Sequence, residues 1–181
     1  MRPRGDALPS GRPANLDPRV ASIANTAWAR FAFPSDRLYL ADRHVWAQLE
    51  DGIATVGVTA PLREALAFSP EIDFWAVDRL EVGDALATVA GREGRMVVVA
   101  APLAGTLVEL KDVLERAPQA LVSQPYRLGW VARIAAEDWD RDAARLASAK
   151  RYREALDRGL PAGRDLCFGG ALLEPRAQSA P

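Results

Sequence analysis

The chain has 181 residues, 49% hydrophobic and 26% charged, which is the size and balance of one globular domain with tails. Its 23 basic and 24 acidic residues leave a net charge of −1, which argues against a dedicated binder of nucleic acid or of anionic membranes. No apolar run approaches the ~18 residues of a membrane span, and the N-terminus lacks the apolar core of a secretory signal. We therefore expect a cytoplasmic protein.

The N-terminal region divides into a tail and a helix. Residues 1–16 are rich in Pro, Gly and Arg and are predicted to be disordered. Asp17-Pro18 is typical of a helix start, and an apolar stripe follows at helical spacing. The sequence predicts a helix over 18–31, within an added segment 17–33. We favour burial of its stripe on its own domain over burial on a partner. The stripe consists of Val20, Ile23, Ala24, Ala27, Trp28 and Phe31.

From Arg37 the apolar period changes to two, which indicates strands. Asp51-Gly52 predicts a tight hairpin turn between two of them, and Thr59 with Pro61 predicts a short helix through Ala67. Further strands are predicted over 72–77, 85–90, 96–101, 105–110 and 130–134. Many short strands with Gly and Pro turns predict a β-rich (α+β) fold, a flattened β-sandwich or barrel with terminal helices, over a domain of residues 34–160.

The last predicted element is a helix with an alternating charged face. Trp139, Ala143, Leu146, Ala149, Tyr152 and Leu156 share its apolar face. Its arginines are interleaved with acids such as Asp140 and Asp142, a pattern typical of a solvated, ion-paired surface. Gly159 and Pro161 end the helix, and residues 161–181 are predicted to be a flexible tail.

The residues that most often carry chemistry are scarce. His44 is the one histidine and Cys167 the one cysteine, so neither a Cys–His pair nor a metal site of several His and Cys can form. His44 is predicted to lie in an alternating strand, where a structural role is favoured over a place in a catalytic triad. The Gly91–Gly94 turn lacks the ending of a phosphate-binding loop. We therefore expect no catalytic residue, no metal site and no enzyme.

Four segments between Asp36 and Leu156, taken in order, resemble the H protein of the glycine cleavage system. That resemblance implies a lipoyl carrier with the flattened β-sandwich of lipoyl and biotinyl domains. Two differences are a Val at position 45 where the family has Glu, and a longer stretch between Leu66 and Val82. The segments are Leu38-Tyr39-Leu40 with His44-Val45-Trp46; Gly52 to Thr59 with Glu64-Ala65-Leu66; Glu81-Val82-Gly83-Asp84; and Pro125-Tyr126 with Gly129-Trp130 and Ile134, after Pro102 and Gly105.

The resemblance places the family's lipoyl-lysine position at Gly94. Counting back from Pro102 and Gly105, or forward from Gly83-Asp84, gives the same residue. Lipoyl attachment needs a primary amine on an exposed turn, and glycine has no side chain. The neighbouring Arg92 and Arg95 stay charged and cannot form the amide. The hairpin is therefore expected to persist, because Glu93-Gly94 suits a turn, whereas no cofactor is expected.

Three functions remain open at this point. The first is a docking module for a protein partner, possibly a glycine-cleavage or lipoyl-attaching enzyme, with candidate contacts Arg92, Glu93 and Arg95 at the tip. Phe74 and Trp75, in a longer loop with Phe68, are further candidates, although such residues often only straddle a sheet. The second is a lipoyl carrier modified at a non-standard lysine, Lys111 or Lys150. The third is an enzyme that reuses the fold.

Overall fold

Two antiparallel β-sheets form the body of the protein in a computed structural model that describes residues 28, 30–62, 70–75, 77–91 and 96–159. The larger sheet has the strand order β10-β1-β2-β3-β9-β8-β5, and the smaller has the order β4-β6-β7. The strands are β1 (Leu38–Leu40), β2 (Val45–Glu50), β3 (Ile53–Val58), β4 (Glu71–Phe74), β5 (Arg79–Leu80), β6 (Ala85–Ala90), β7 (Met96–Ala100), β8 (Gly105–Leu110), β9 (Trp130–Ala136) and β10 (Ala147–Ser148).

Short helices connect and flank the strands. A 3-10 turn, Ala41–Arg43, joins β1 to β2. The α-helices are α1 (Val113–Arg116), α2 (Gln119–Ser123), α3 (Trp139–Ala143) and α4 (Ala149–Asp157). The sequence predicted neither the first two helices nor β5, because elements of two to five residues are too short to show a period.

The core lies between the two sheets, as alternating side chains require. The smaller sheet contributes residues such as Leu86 and Val99, and the larger contributes residues such as Val56 and Ile134, all fully buried. Burying such aliphatic side chains contributes about 1.5–3 kcal/mol each before ordering costs. The architecture is an open flattened sandwich rather than a closed barrel, which confirms the predicted β-rich class.

Several predicted elements are confirmed, with small shifts at their ends. Asp51 and Gly52 have φ values of 49° and 78° and join β2 to β3, as a two-residue hairpin turn requires. The strands predicted over 85–90 and 105–110 have those bounds. The strands predicted over 72–77, 96–101 and 130–134 appear as β4, β7 and β9.

The continuous helix predicted from Trp139 to Leu156 is wrong. The chain forms α3, then the two-residue strand β10, then α4. Ala147 and Ser148 pair with Tyr39 and Leu38 of β1, so the edge of the large sheet interrupts the helix. The Ser148 side chain then caps α4 by accepting a hydrogen bond from the Arg151 backbone N–H.

Other predicted regions fall largely outside the described residues. Of the helix predicted over 18–31, only Trp28, Arg30 and Phe31 are described, and they form a turn in which the Phe31 N–H donates to the Trp28 carbonyl at 3.0 Å. Of the helix predicted from Pro61 to Ala67, residues 63–67 lie outside the description. So do both predicted tails and Cys167. The domain bounds therefore stay a prediction.

Candidate functional site: the hairpin between the sheets

The hairpin to which the resemblance assigns the lipoyl-lysine position is built by β6 and β7. Ala90 pairs with Met96, and Val89 pairs with Val97. This register leaves five residues, 91–95, to connect the strands, and Gly94 is among them. Gly94 and its neighbours Arg92, Glu93 and Arg95 lie outside the described residues, so what the structure fixes is the pair of strands that carries them.

The base of the hairpin is fixed by a turn at Gly83 and Asp84. The Gly83 N–H donates to the Ala101 carbonyl at 2.8 Å, and the Ala101 N–H donates to the Asp84 carbonyl at 2.7 Å. Gly83 has a φ of 95°, a conformation that other residues rarely adopt. The Asp84 carboxylate accepts from the Glu81 N–H at 2.8 Å. The hairpin therefore starts from a defined position.

A buried carboxylate contacts the chain three residues after Ala101. Asp142 of α3 is fully buried and accepts a hydrogen bond from the Ala104 N–H at 2.9 Å. Arg141 and Arg145 also donate to it, at 3.0 and 2.7 Å. The Arg141 hydrogen bond, more than the opposing effect of burial, lowers the pKa of Asp142. The predicted ion pairing of this helix face is confirmed at Asp142, whereas the predicted solvation is wrong there, because the carboxylate is buried.

The predicted contacts Phe74 and Trp75 lie away from the hairpin tip. Phe74 pairs with Ala87, whereas Glu71, at the other end of β4, pairs with Ala90 next to the tip. Phe74 packs against the core. The Trp75 indole N–H donates to the Thr88 hydroxyl at 2.9 Å, and both aromatic residues are half-buried. The structure therefore does not bring them together with the tip residues, and their role as partner contacts stays a prediction. Phe68 lies outside the described residues.

Neither lysine lies on this hairpin. Lys111 follows β8, where its amine donates to the Leu128 carbonyl and lies 4.7 Å from the centre of the Trp130 ring. Desolvation, followed by the positive charge of Arg133, lowers the pKa of Lys111. Lys150 is an exposed residue in the first turn of α4. The residues present therefore do not fit a lipoyl group on the β6–β7 hairpin.

His44 lies in a buried aromatic cluster at one end of the large sheet. Its Nδ1 is 2.6 Å from the Tyr152 hydroxyl, which is also 2.8 Å from the Thr59 hydroxyl. The Tyr152 ring stacks on Tyr39 at 4.8 Å between centroids. Burial raises the pKa of Tyr152 well above its ordinary value, so the phenol stays neutral. This arrangement is the structural role predicted for His44.

The described part of the chain contains no cluster of three or more His, Cys, Asp or Glu side chains that could hold a metal ion. Within the same residues, no helix is long and apolar enough to span a membrane.

Comparison with known proteins shows which family the chain resembles. A family model described as glycine cleavage H-protein matches residues 38–159. The glycine cleavage system H protein of a Psychrobacter species is 36% identical over 125 residues, covering 68% of this chain and 97% of its own length. That of a Thermus thermophilus strain is 33% identical over 125 residues, covering 68% and 95%. The crystal structure of the Mycobacterium marinum H protein shares the fold, with a TM-score of 0.58 at 24% identity over 67% of this chain and 97% of that one.

Proposed function

The chain belongs to the glycine cleavage H-protein family, and we propose that it acts as a docking module for a protein partner rather than as a lipoyl carrier. Proteins of this family are carriers that glycine-cleavage enzymes bind, and are not enzymes themselves. A member that keeps the fold but lacks the attachment lysine would keep binding surfaces while losing the group that moves between enzymes. Protein–protein recognition is then its remaining activity.

The observation that carries this proposal is glycine at the carrier position of a hairpin that is otherwise well built. The paired strands β6 and β7 carry the connecting segment 91–95, and the resemblance assigns the attachment position to residue 94 of that segment. Attachment needs a primary amine there, and the connecting residues Gly91 to Arg95 include two guanidinium groups but no lysine.

The two lysines of the chain are poor substitutes. The Lys111 amine is held by a carbonyl and an indole and sits beside the larger sheet. Lys150 is exposed but lies on a helix. A modifying enzyme that recognises a lysine on a hairpin turn would therefore not recognise it. A carrier modified at either residue is the alternative that the experiment below tests.

The partner in this proposal is a cytoplasmic protein, a glycine-cleavage enzyme or a lipoyl-attaching enzyme that binds the H-protein surface. Arg92, Glu93 and Arg95 are the candidate contacts nearest the tip. Arginine suits interfaces because its planar donors are weakly hydrated and bind carboxylates in pairs.

The test is the intact mass of the protein produced in a cell with active lipoylation. We expect the unmodified mass for the wild type, because no amine stands at the tip. A Gly94→Lys variant is the matched control, since it restores the amine at the same place on the same hairpin. We expect this variant to gain the mass of a lipoyl or octanoyl amide.

Modification of the wild type at Lys111 or Lys150 would overturn the proposal and support the alternative carrier. If neither protein is modified, a lipoylated H protein produced in the same cells shows whether the attaching enzyme was active. An unmodified Gly94→Lys protein beside a modified H protein would mean that the hairpin has also lost the features that enzyme recognises.

A further inference from the structure

Three of the four edges of the two sheets carry features that hinder pairing with a strand of another chain. The edge strands of the larger sheet, β10 and β5, have two residues each. On the smaller sheet, the edge strand β4 carries two exposed acids, Glu71 and Asp73. Short edge strands and charged side chains are common means by which proteins block their sheet edges.

The fourth edge, β7, has neither feature. Its five residues read Met-Val-Val-Val-Ala, with no charge and no proline. In the described sheets β7 pairs with β6 on one side and is the last strand on the other. An uncharged apolar strand at an open edge is the kind of edge to which another strand adds.

The backbone groups on the open side of β7 follow from the turn at its end. Ala101 exchanges hydrogen bonds with the turn that precedes β6, so its N–H and carbonyl face that strand. Successive residues of a strand point their backbone groups to opposite sides, so those of Met96, Val98 and Ala100 face away from β6. Ala100 is buried. Within the described ranges, no backbone hydrogen bond forms on the open side of Met96 or Val98.

The side chains of β7 are apolar on both faces of the sheet. Val97 and Val99 are buried in the core between the sheets. Met96 and Val98 lie on the outer face and are half-buried. A charged strand beside them would lose part of its hydration and would find no opposite charge on β7. The occupant that suits this edge is therefore an uncharged, apolar strand.

We propose that β7 pairs in antiparallel fashion with β7 of a second copy, so that the three-stranded sheets of the two copies become one. The strand is complementary to itself, because it is uncharged and presents donors and acceptors at alternate residues. With the two-fold axis beside Val97, Met96 of each copy lies opposite Val98 of the other, and each such pair exchanges two hydrogen bonds. On β4, by contrast, the acids of two copies would repel each other.

The size of this contact sets its strength. One pair of five-residue strands buries less surface than the ~1,200–2,000 Å² of a standard interface. We therefore expect a weak dimer, with a dissociation constant on the order of 100 μM. The inference goes beyond the proposed docking function and does not depend on it, because it needs no other protein.

Sedimentation equilibrium of the full chain over a dilution series tests the dimer, with a reductant present so that Cys167 cannot link two copies. Val98→Lys places a charge at the edge and should weaken the dimer about tenfold or more. Val98→Pro removes the outward N–H and should also weaken it. Val98→Thr keeps the N–H and the β-branched shape and should retain most of the association. Asp73→Lys is the matched control on the opposite edge, since Asp73 and Val98 both pair with Thr88, and should not weaken the dimer.

Amide hydrogen exchange adds a readout on the wild type alone. The Met96 and Val98 amides should exchange more slowly at high than at low protein concentration, because the second copy then accepts their hydrogen bonds. The Val97 amide faces β6 and should change little. This comparison decides the matter if a variant fails to fold, which the thermal midpoints of the variants show.

A wild type that stays monomeric up to about 1 mM, tenfold above the expected dissociation constant, would overturn the inference. So would a dimer that is equally strong in Val98→Lys and Val98→Pro, because another surface would then carry it. A dimer that forms only after deletion of residues 1–27 or 160–181 would also overturn it, since the chain would then cover its own edge.

Discussion

Asp142 shows how a single residue connects the hairpin to the rest of the protein. Its carboxylate joins α3 to Ala104, which lies between β7 and β8, and both arginines that contact it are half-exposed at their side chains. The guanidinium groups can therefore be solvated if the acid is lost, but the buried Ala104 N–H cannot. An unpaired buried donor is the more costly outcome.

We predict that Asp142→Ala lowers the free energy of unfolding by about 2–3 kcal/mol, which is the range for losing hydrogen bonds to a charged group. Asp140→Ala removes an exposed acid from the same helix and should change it little. Urea unfolding of both variants measures the difference. A small effect of Asp142→Ala would mean that water or a neighbour replaces the carboxylate.

The same residue predicts a pH dependence. Because the folded protein lowers the pKa of Asp142 from its ordinary value of 3.8, its contribution to stability is present above that value and is lost as the pH falls through the lowered folded pKa. The stability gap between wild type and Asp142→Asn should therefore shrink in acid. If the difference in stability between the two proteins is unchanged or widens below pH 3.8, the Asp142 carboxylate does not stabilise the fold in its charged form.

At the scale of elements, alternation of apolar and polar residues predicts the strands that face one core. It does not predict the break in the C-terminal helix, which strand pairing and helix capping explain. The helix predicted through Leu146 breaks because Ala147 and Ser148 complete the edge of the large sheet, a tertiary effect with no local period. Ser148 and Asp138, both side-chain caps, were the available local signals. The burial of Asp142 likewise depends on Ala104, which is 38 residues away.

The candidate site also has features that the sequence predicts and features that it does not. The sequence predicts the strands that became β6 and β7 because both alternate, whereas the assignment of Gly94 to the lipoyl-lysine position, counted from Pro102 and Gly105, stays a prediction because residues 92–95 lie outside the described part of the chain. Gly105 itself is required, because a side chain there would collide with the Ala135 carbonyl. The contact of the Lys111 amine with the Leu128 carbonyl could not be predicted, since it joins residues 17 apart through tertiary structure.

A contact between the N-terminal segment and α4 gives a prediction at this scale. Arg153 donates to the carbonyls of Trp28 and Phe31, at 3.3 and 2.7 Å, and lies 4.8 Å from the Phe33 ring centre. Arg153→Met keeps the aliphatic stem and should cost about 1–2 kcal/mol through the lost charged donors. Arg151→Met, on the same helix but exposed, is the control.

Urea unfolding measures that cost, and limited trypsin digestion adds a local readout, since cleavage after Arg30 should become faster in Arg153→Met alone. Equal cleavage rates in the two variants would mean that Arg153 does not hold the segment.

At the scale of the whole molecule, the family's domain accounts for two thirds of the chain, and the remainder lies before and after it. The family model begins at residue 38, yet Trp28 and Phe33 already pack against the buried cluster of Tyr39, Trp46, Tyr152 and Leu156. Trp28 and Phe33, which precede the residues that the family model matches, therefore form part of the domain's packing.

We predict that deleting residues 1–33 lowers the thermal midpoint by roughly 4–8 °C, because losing Trp28 and Phe33 removes about 2 kcal/mol net of ordering costs. Deleting residues 1–27 keeps both aromatics, so it isolates the predicted helix stripe of Val20, Ile23, Ala24 and Ala27. If that stripe packs on the domain, the shorter deletion also lowers the midpoint. If only the longer deletion does, the stripe is left for a partner or does not form. An unchanged midpoint for both would contradict the packing of Trp28 and Phe33, and calorimetry of the three proteins decides among these outcomes.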